Sequence, residues 1–391
     1  MELVSIIVPV FNNEKHLKES LDGVITLNYK NIEIIVIDDG SSDSSVEIIK
    51  EFQKRDDRIL FFQNDFNLGT AKTIKKGISI AQGRYIFINA ADDVSLKDRV
   101  EKCLDIFKNN KKVGVIVSTA IIIDNDGLET GEMYDINAHV QNHNIALEQF
   151  KRNYCLGATM AIVNDRDLLL KEGMLEYIDD YEISLEFLLN NYDIHLLREP
   201  LVKYRVHNSN QSNNRSELAN KVKSIIRKYE YEDVLQNLSS RGFIKAEIFN
   251  TLGVMSLFVD DLDNSHKFLM ESEKLAKQTC NKRLEIERNF YLGVLKYKLG
   301  EYAESIDRFN KALNIDNKDP AVLNNLSVIK FFYSKGQIKD IEMLNSAITE
   351  YPEYIDAKVN LEKMLSGDTQ NMKITERLLD FQKYKRKQYL V

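Results

Sequence analysis

The stretch "VSIIVPVF", residues 4–11, is short, β-branched and followed by polar residues, which is typical of a buried strand. The next segment, "EKHLKESLDGVI" at 14–25, carries apolar residues at helical spacing, and "IEIIVIDD" at 32–39 is a second β-branched run. The same alternation continues to about residue 90. It predicts an α/β domain with a mostly parallel sheet, helices on both faces and right-handed crossovers.

Length and composition limit the classes of protein that this chain can belong to. Its 391 residues, 43% of them hydrophobic, are enough for two or three domains. A net charge of -7 argues against a nucleic-acid partner. We expect no membrane span, because no apolar run reaches about 18 residues, and the amino terminus lacks the features of a signal peptide. With three widely spaced cysteines, Cys103, Cys155 and Cys280, the sequence predicts a cytoplasmic protein without disulfides.

A change in composition after residue 208 predicts a domain boundary. The segment "HNSNQSNNRSE", residues 207–217, is polar and rich in Asn and Ser, and the sequence beyond it has helical periodicity throughout. We therefore expect a catalytic-type α/β domain at 1–208, a linker at 209–240 and an all-α domain at 241–391.

The helical part contains a repeat. Leu292, Leu326 and Leu361 recur at intervals of 34 and 35 residues, which is the period of paired-helix repeats. The segment "LGVLKYKLGEYAESIDRFNKAL", residues 292–313, resembles the tetratricopeptide repeat, and weaker copies start near Leu252 and Leu326. A plain helical bundle is the alternative interpretation.

Three polar clusters follow predicted strands: "PVFNNE" at 9–14, "DDGSSD" at 38–43 and "NAADD" at 89–93. Ligands of open α/β sheets bind outside the carboxyl ends of the strands, so we expect these clusters to converge. The adjacent carboxylates Asp92 and Asp93 would suit a divalent cation that also holds a diphosphate. A helix cap at Asp92 or Ser95 is the alternative.

The first 208 residues resemble the family 2 glycosyltransferases, which have the GT-A fold. Four segments carry the resemblance in family order: "SIIVPVFNNEKHLKESLDGVI" at 5–25, "IEIIVIDDGSSDSSVEII" at 32–49, "NLGTAKTIKKGISIAQGRYIFINAADD" at 67–93 and "DDYEISLEFLLNNYDIHLLREPLVKYRVH" at 179–207. The resemblance implies an inverting enzyme that transfers a hexosyl or N-acetylhexosaminyl group from a nucleotide sugar, with a UDP-sugar as the expected donor.

The resemblance also implies how the nucleotide is held. Pro9 and Phe11 would line the base pocket, and Asp39 would accept a hydrogen bond from the uracil imide. Asp92 would face the ribose or the metal. A core position for Phe11 and a turn role for Asp39 are the alternatives.

The metal site implied by the family is only partly present. Asp93 corresponds to the metal-binding acid, and His207 to a histidine that closes over the diphosphate and binds the metal in some relatives. Many members read Asp-Ala-Asp-Asp, whereas here Asn89, Ala90 and Ala91 precede the pair. We expect Mn²⁺ or Mg²⁺, held by fewer carboxylates and relying on substrate phosphates.

Asp180 corresponds to the family's general base, and Asp179 and Glu182 are the nearby alternatives. Carboxylates at a helix start also act as caps, which is the competing explanation. Lys72 and Lys75 are candidates for binding the diphosphate, although the sequence favours a solvated helix face for both. Arg205 is a further candidate for a contact near the diphosphate, in the region of His207.

The acceptor is the least determined part of the reaction. The predicted repeats would form an extended surface for a protein or peptide acceptor. The alternative is a glycosyltransferase of cell-surface polysaccharide synthesis whose repeats serve self-association or docking to partner enzymes. A non-catalytic scaffold is the third hypothesis, motivated by the missing first acid.

Overall fold

The computed structural model describes residues 1–134, 140–151, 159–207, 215–276, 281–333, 338–352, 354–368 and 372–376. The chain divides into two compact units, Met1–Gln149 with Asn153–Glu230 and Phe150–Arg152 with Tyr231–Val391. The domain boundary expected at residue 208 stays a prediction, and the first unit continues through Glu230. Cys155, Cys280 and residues 208–214 of the predicted polar link lie outside the described residues.

The first unit contains a nine-stranded mixed sheet in the order β3-β2-β1-β4-β8-β6-β9-β5, with β7 paired to β6. Strands β1 to β4 are mutually parallel, as predicted, and β9 is parallel to β6. Strand β8 runs antiparallel to both β4 and β6. The strands are β1 (Val4–Val10), β2 (Ile32–Asp38), β3 (Ile59–Gln63), β4 (Tyr85–Ile88), β5 (Val94–Ser95), β6 (Val113–Ile123), β7 (Glu129–Tyr134), β8 (Thr159–Val163) and β9 (Asp193–Arg205).

Helices connect the strands, as the periodicity predicts. The helices of this part are α1 (Leu17–Ile25), α2 (Ser45–Arg55), α3 (Thr70–Ile80), α4 (Arg99–Asn109), α5 (Ile145–Lys151), α6 (Arg166–Leu169), α7 (Asp179–Leu189) and α8 (Arg215–Ile226). The α/β class predicted for the amino-terminal part is confirmed.

Strand β1 lies between β2 and β4 and is apolar on both faces because both faces are covered. Ile6, Ile7 and Val8 are at most 1% exposed. Burial of each such side chain contributes about 1.5–3 kcal/mol. The register pairs Val10 with Asp38 and Ile7 with Ile88, so the carboxyl ends of the three strands lie at one edge of the sheet.

The second unit is helical in its described residues, which confirms the predicted all-α part. Its helices are α9 (Tyr231–Ser240), α10 (Lys245–Phe258), α11 (Leu262–Ala276), α12 (Lys282–Lys298), α13 (Tyr302–Ile315), α14 (Pro320–Tyr333), α15 (Ile338–Glu350) and α16 (Ile355–Ser366).

Two of the helix pairs use the same close contact. In α10 and α11, the Ser265 hydroxyl donates to the Gly253 carbonyl at 2.9 Å; in α12 and α13, Ser305 donates to Gly293 at 2.7 Å. A Cβ on Gly293 would lie 2.8 Å from the Phe309 ring, so this position requires glycine. The sequence similarity of these segments is therefore accompanied by similar packing.

None of the helices among the described residues is both long enough and apolar enough to cross a membrane.

Candidate active site

The loops that follow β1 and β2 are joined by hydrogen bonds. The backbone N–H of Ser42 donates to Asn12 Oδ1 at 2.8 Å, and the N–H of Asn12 donates to Ser41 Oγ at 2.9 Å. Two residues further on, the N–H of Glu14 donates to Asp43 Oδ2 at 3.0 Å. The first two polar clusters predicted from the sequence therefore form one surface at the edge of the sheet.

Asp39 organises a third loop at the same edge. Its Oδ1 accepts from Asn64 Nδ2 at 2.8 Å and from the N–H of Leu68 at 2.9 Å, and its Oδ2 accepts from the N–H of Gly69 at 2.9 Å. Oδ2 has one donor, so it retains acceptor capacity for a further N–H. Within 38–43 the turn contact is made by Asp38, whose Oδ2 accepts from the N–H of Ser41 at 3.1 Å. The bonds of Asp39 to the other loop are compatible with the predicted contact to uracil.

Phe11 is 46% exposed at the end of β1, which excludes the alternative of a core aromatic. Pro9, two residues earlier, is partly exposed. The exposed aromatic face next to the loop of Asp39 is a suitable surface for stacking a nucleobase. The sequence analysis did not single out Phe66, which is 67% exposed in the loop that Asp39 holds.

The two acids after β4 have different environments. His207 Nε2 and Asp92 Oδ2 are 2.9 Å apart, and both side chains remain partly exposed. Asp93 is 3% exposed, and its Oδ1 accepts from the backbone N–H of Arg205 at 2.9 Å. Burial and the neighbouring Asp92 charge raise the pKa of Asp93 well above its ordinary value. Asp92 and His207 together face solvent, whereas Asp93 points inward.

Asn89, which precedes the acid pair, has a structural role in place of a ligand role. Its Oδ1 accepts from Ser95 Oγ at 2.7 Å and from Arg99 Nη1 at 2.9 Å, and its Nδ2 donates to Ser20 Oγ at 3.1 Å. Arg99 is fully buried, and desolvation lowers its pKa to about 10. The Asn89 amide therefore fixes the strand end beneath the acids.

Arg205, at the end of β9, ties the acid loop to the rest of the unit. Its Nε donates to the Asp92 carbonyl at 2.9 Å, its Nη1 donates to the Asp124 carbonyl at 3.1 Å, and its Nη2 pairs with Glu19. The side chain is 1% exposed. Arg205 is therefore a buried support for the loop and does not present its guanidinium to solvent.

The sequence analysis missed His16, which is 7% exposed and precedes α1. Its ring is stacked on that of His207, with the centroids 5.4 Å apart and the planes at 28°. Burial, followed by the nearby Arg205 charge, lowers the pKa of His16. A lone histidine before a helix has no pattern that would identify it, because its partner lies 191 positions later in the sequence.

Within the described ranges, no group of three or more His, Cys, Asp or Glu side chains is arranged to hold a metal ion. The donor set that does fit a divalent cation is the two-residue pair of Asp92 and His207, with substrate phosphates and water completing the shell, as in many Mg²⁺ sites.

A second pair of acids lies at the start of α7. Asp179 and Asp180 are both half-buried. Burial, followed by the adjacent Asp180 charge, raises the pKa of Asp179 to about 7. Glu182 is fully buried, and its Oε1 accepts from the N–H of Tyr177 at 2.6 Å and of Ile178 at 3.1 Å. The Glu182 carboxylate is thus occupied by the backbone before α7, and Asp179 and Asp180 are the candidates for a base.

The two lysines of α3 connect the segment before α7 to the part of the unit that contains the Asp39 loop. Lys75 Nζ donates to the Met174 carbonyl at 2.9 Å, and Lys72 Nζ lies 3.4 Å from Glu176 Oε2. Both lysines therefore hold the segment before α7 against the start of α3. Because Gly69, just before α3, donates to Asp39, the segment before α7 and the Asp39 loop lie at the same end of α3.

Comparison with known proteins agrees with this geometry. Residues 5–168 match the model of the family described as glycosyl transferase family 2. An uncharacterised glycosyltransferase of Methanocaldococcus jannaschii is 32% identical over 209 residues, which cover 53% of this chain and 71% of the relative. The putative teichuronic acid biosynthesis glycosyltransferase TuaG of Bacillus subtilis is 24% identical over 229 residues, which cover 58% of this chain and 88% of the relative.

Among solved structures, S. aureus TarS in complex with UDP-GlcNAc aligns with a TM-score of 0.49 and 14% identity, covering 94% of this chain and 92% of that chain. The relative that is 32% identical, with 71% of its length covered, is sufficient to show the family of this chain. The chain belongs to glycosyl transferase family 2, and it is a glycosyltransferase.

Proposed function

We propose that this glycosyltransferase inverts the anomeric centre of a UDP-sugar in a single displacement, with Asp180 as the general base. The observation that carries the proposal is the separation of the two acid pairs by environment. Asp92 and His207 lie together at a partly exposed position, which suits a leaving diphosphate. Asp179 and Asp180 lie at the start of α7, directly after the two residues whose N–H groups donate to the Glu182 carboxylate.

On the donor side, the chain's own residues bind and orient the nucleotide. Phe11 offers an exposed ring to the base, next to Pro9, and Asp39 keeps a free acceptor site on Oδ2 for the imide N–H. The Asp39 carboxylate is already fixed by three donors from the protein. It is therefore preorganised, and nucleotide binding would not have to order it.

We propose Asp92 and His207 as the residues that hold a divalent cation, Mn²⁺ or Mg²⁺. The ligand role predicted for Asp93 is less well supported, because one of its oxygens is taken by the Arg205 N–H and the side chain is buried. When bound, the cation would neutralise the charge that develops on the leaving diphosphate. Arg205 would hold the backbone of Asp92 in place.

On the acceptor side, a carboxylate must remove the proton of the attacking hydroxyl as the bond to the anomeric carbon forms. A base is most effective when its pKa lies near the working pH. The pKa of about 7 for Asp179 indicates that the environment of the pair favours proton transfer near neutrality. We assign the base to Asp180 from its position in the family motif and treat Asp179 as the neighbour that tunes it.

For the acceptor we propose a glycan of a cell-surface polysaccharide. The support is the similarity to TuaG, whose name places it in teichuronic acid biosynthesis. The second candidate is a protein or peptide acceptor, and the observation in its favour is the repeated helix pairing of Gly253 with Ser265 and of Gly293 with Ser305. We propose that these pairs are tetratricopeptide-like and that their surface binds a partner, either the acceptor or a second enzyme.

The experiment that tests the proposed function is a donor screen on the full chain. Purified protein is incubated with UDP-, GDP- and dTDP-sugars, with Mn²⁺, Mg²⁺ or EDTA, and the thermal shift and released nucleotide are measured. We expect stabilisation by one UDP-sugar and slow, metal-dependent release of UDP. Binding of a donor without release of UDP, even with added glycan and peptide acceptors, would contradict the proposal and favour the scaffold hypothesis.

A further inference from the structure

The first turn of α7 depends on a buried acid that the proposed reaction does not use. Glu182 has 0% of its side chain exposed, and an unpaired carboxylate at such a position costs several kcal/mol. Its Oε2 accepts from Lys228 Nζ at 2.9 Å. Lys228 follows α8, 20 residues beyond the end of the catalytic domain that the sequence predicts.

Glu182 and Lys228 together fix the segment that leads into Asp179. The Glu182 carboxylate accepts from the N–H groups of Tyr177 and Ile178, the two residues immediately before Asp179. Lys228 Nζ donates to the Gly173 carbonyl at 2.6 Å and lies 4.8 Å from the centroid of the Tyr177 ring. Lys228 therefore contacts this segment at Gly173 and Tyr177, in addition to its bond to Glu182 on α7.

The position of Lys228 also has an electrostatic consequence. Its ammonium is paired with Glu182, whose negative charge acts on Asp179 in the direction that raises the pKa of Asp179. The other charged groups around this turn are Asp180 on α7 itself, the Lys72–Glu176 pair, Lys171, which pairs with Glu186 at 2.8 Å, and Lys75, which donates to the Met174 carbonyl at 2.9 Å. Lys228 is the cation that pairs directly with the Glu182 carboxylate.

We propose that Lys228 is a positioning residue for the catalytic acids, holding the 173–178 segment and neutralising Glu182 so that Asp179 and Asp180 keep their geometry and charge. This inference rests on the proposed function of Asp180. It also implies that the catalytic unit requires residues after 208, because Lys228 and its neighbour Tyr229 pack on α7. Burial and the nearby Glu186 charge raise the pKa of Tyr229 above its ordinary range.

The test compares four variants of the full chain with wild type: Lys228→Met, Lys228→Arg, Glu182→Gln and the double variant Lys228→Met with Glu182→Gln. Lys221→Met on α8 is the matched control, because it removes a lysine whose ion pair among the described residues is with Glu217 of its own helix. We measure kcat, the KM for the donor, and the pH dependence of kcat/KM.

We expect Lys228→Met to lower kcat about 10- to 100-fold, the size of effect that a small misplacement of a catalytic group produces, with an unchanged KM for the donor. The acid limb of the pH profile should move to higher pH, because Glu182 is then unbalanced. Lys228→Arg should retain most of kcat.

The double variant should be more active than Lys228→Met alone, with the acid limb moved back. A double variant no better than Lys228→Met, with an unshifted acid limb, would overturn the inference.

A second measurement separates this inference from the proposed function. The aspartate carboxyls of wild type and of Lys228→Met are titrated by carbon-13 NMR, which needs no activity. If wild type releases nucleotide from no donor, the proposed function fails, but the titration still decides the electrostatic role of Lys228. A higher pKa of the Asp179–Asp180 pair in Lys228→Met supports that role, and an unchanged titration overturns it.

Discussion

The molecule contains two Asp-Asp pairs, and the fold uses them differently. In the pair after β4, Asp93 is buried against the Arg205 N–H while Asp92 contacts His207. In the pair at the start of α7, both side chains are half-buried, and the pKa of Asp179 rises to about 7. Identical dipeptides thus lie in two different environments, and we propose a metal-type site for one and a base for the other. The difference lies in what surrounds each carboxylate, since burial, neighbouring charge and hydrogen bonds set its proton affinity.

The largest expected effect tests whether the α7 pair supplies the base. Asp180→Asn should lower kcat by about 10²- to 10⁴-fold, because the amide cannot accept the proton of the acceptor hydroxyl. Donor-dependent thermal shifts should be unchanged. Asp105→Asn is the control, since its side chain on α4 is 73% exposed. Near wild-type turnover in Asp180→Asn would remove Asp180 from this role, and the comparison between the pairs would fail.

A smaller effect distinguishes the members of the β4 pair. Asp92→Asn should weaken activation by Mn²⁺ about 10- to 100-fold, because a ligand or its close partner is lost. Asp93→Asn is the matched variant, and it should change the Mn²⁺ requirement much less, since that side chain is buried and its Oδ1 accepts from the Arg205 N–H. The measurement is the Mn²⁺ concentration for half-maximal turnover. The opposite order of the two variants would restore Asp93 as the ligand.

The smallest effect concerns pH. In wild type, kcat/KM should fall as the pH drops through about 7, because protonation of the α7 pair removes the carboxylate that acts as base. In Asp179→Asn the neighbouring charge is absent, so Asp180 should release its proton more easily and the acid limb should move to lower pH. The pH profiles of the two proteins check this directly. An unshifted limb would show that Asp179 does not tune Asp180.

The comparison also shows which features were predictable from the sequence. The strands and helices of the first 90 residues followed from periodicity and turn residues, because they depend on local patterns. The antiparallel strand β8 between β4 and β6 was not foreseen, since its pairing depends on partners more than 40 residues away. The exposure of Phe11 and the buried role of Arg205 were likewise decided by packing.

The residues that support the site were the least predictable. His16 stacks on His207, Glu19 forms an ion pair with Arg205, and Glu182 forms one with Lys228. No local sequence pattern predicts any of these partners. The sequence was sufficient to identify the glycosyltransferase motifs, because a motif is a run of neighbouring residues, and the roles of the carboxylates within those motifs stay predictions. Only the tertiary structure distinguished the inward-facing acid from the solvent-facing one in the β4 pair. The physical reason is that burial and hydrogen-bond donors come from segments distant along the chain, and these set the charge and accessibility of each carboxylate.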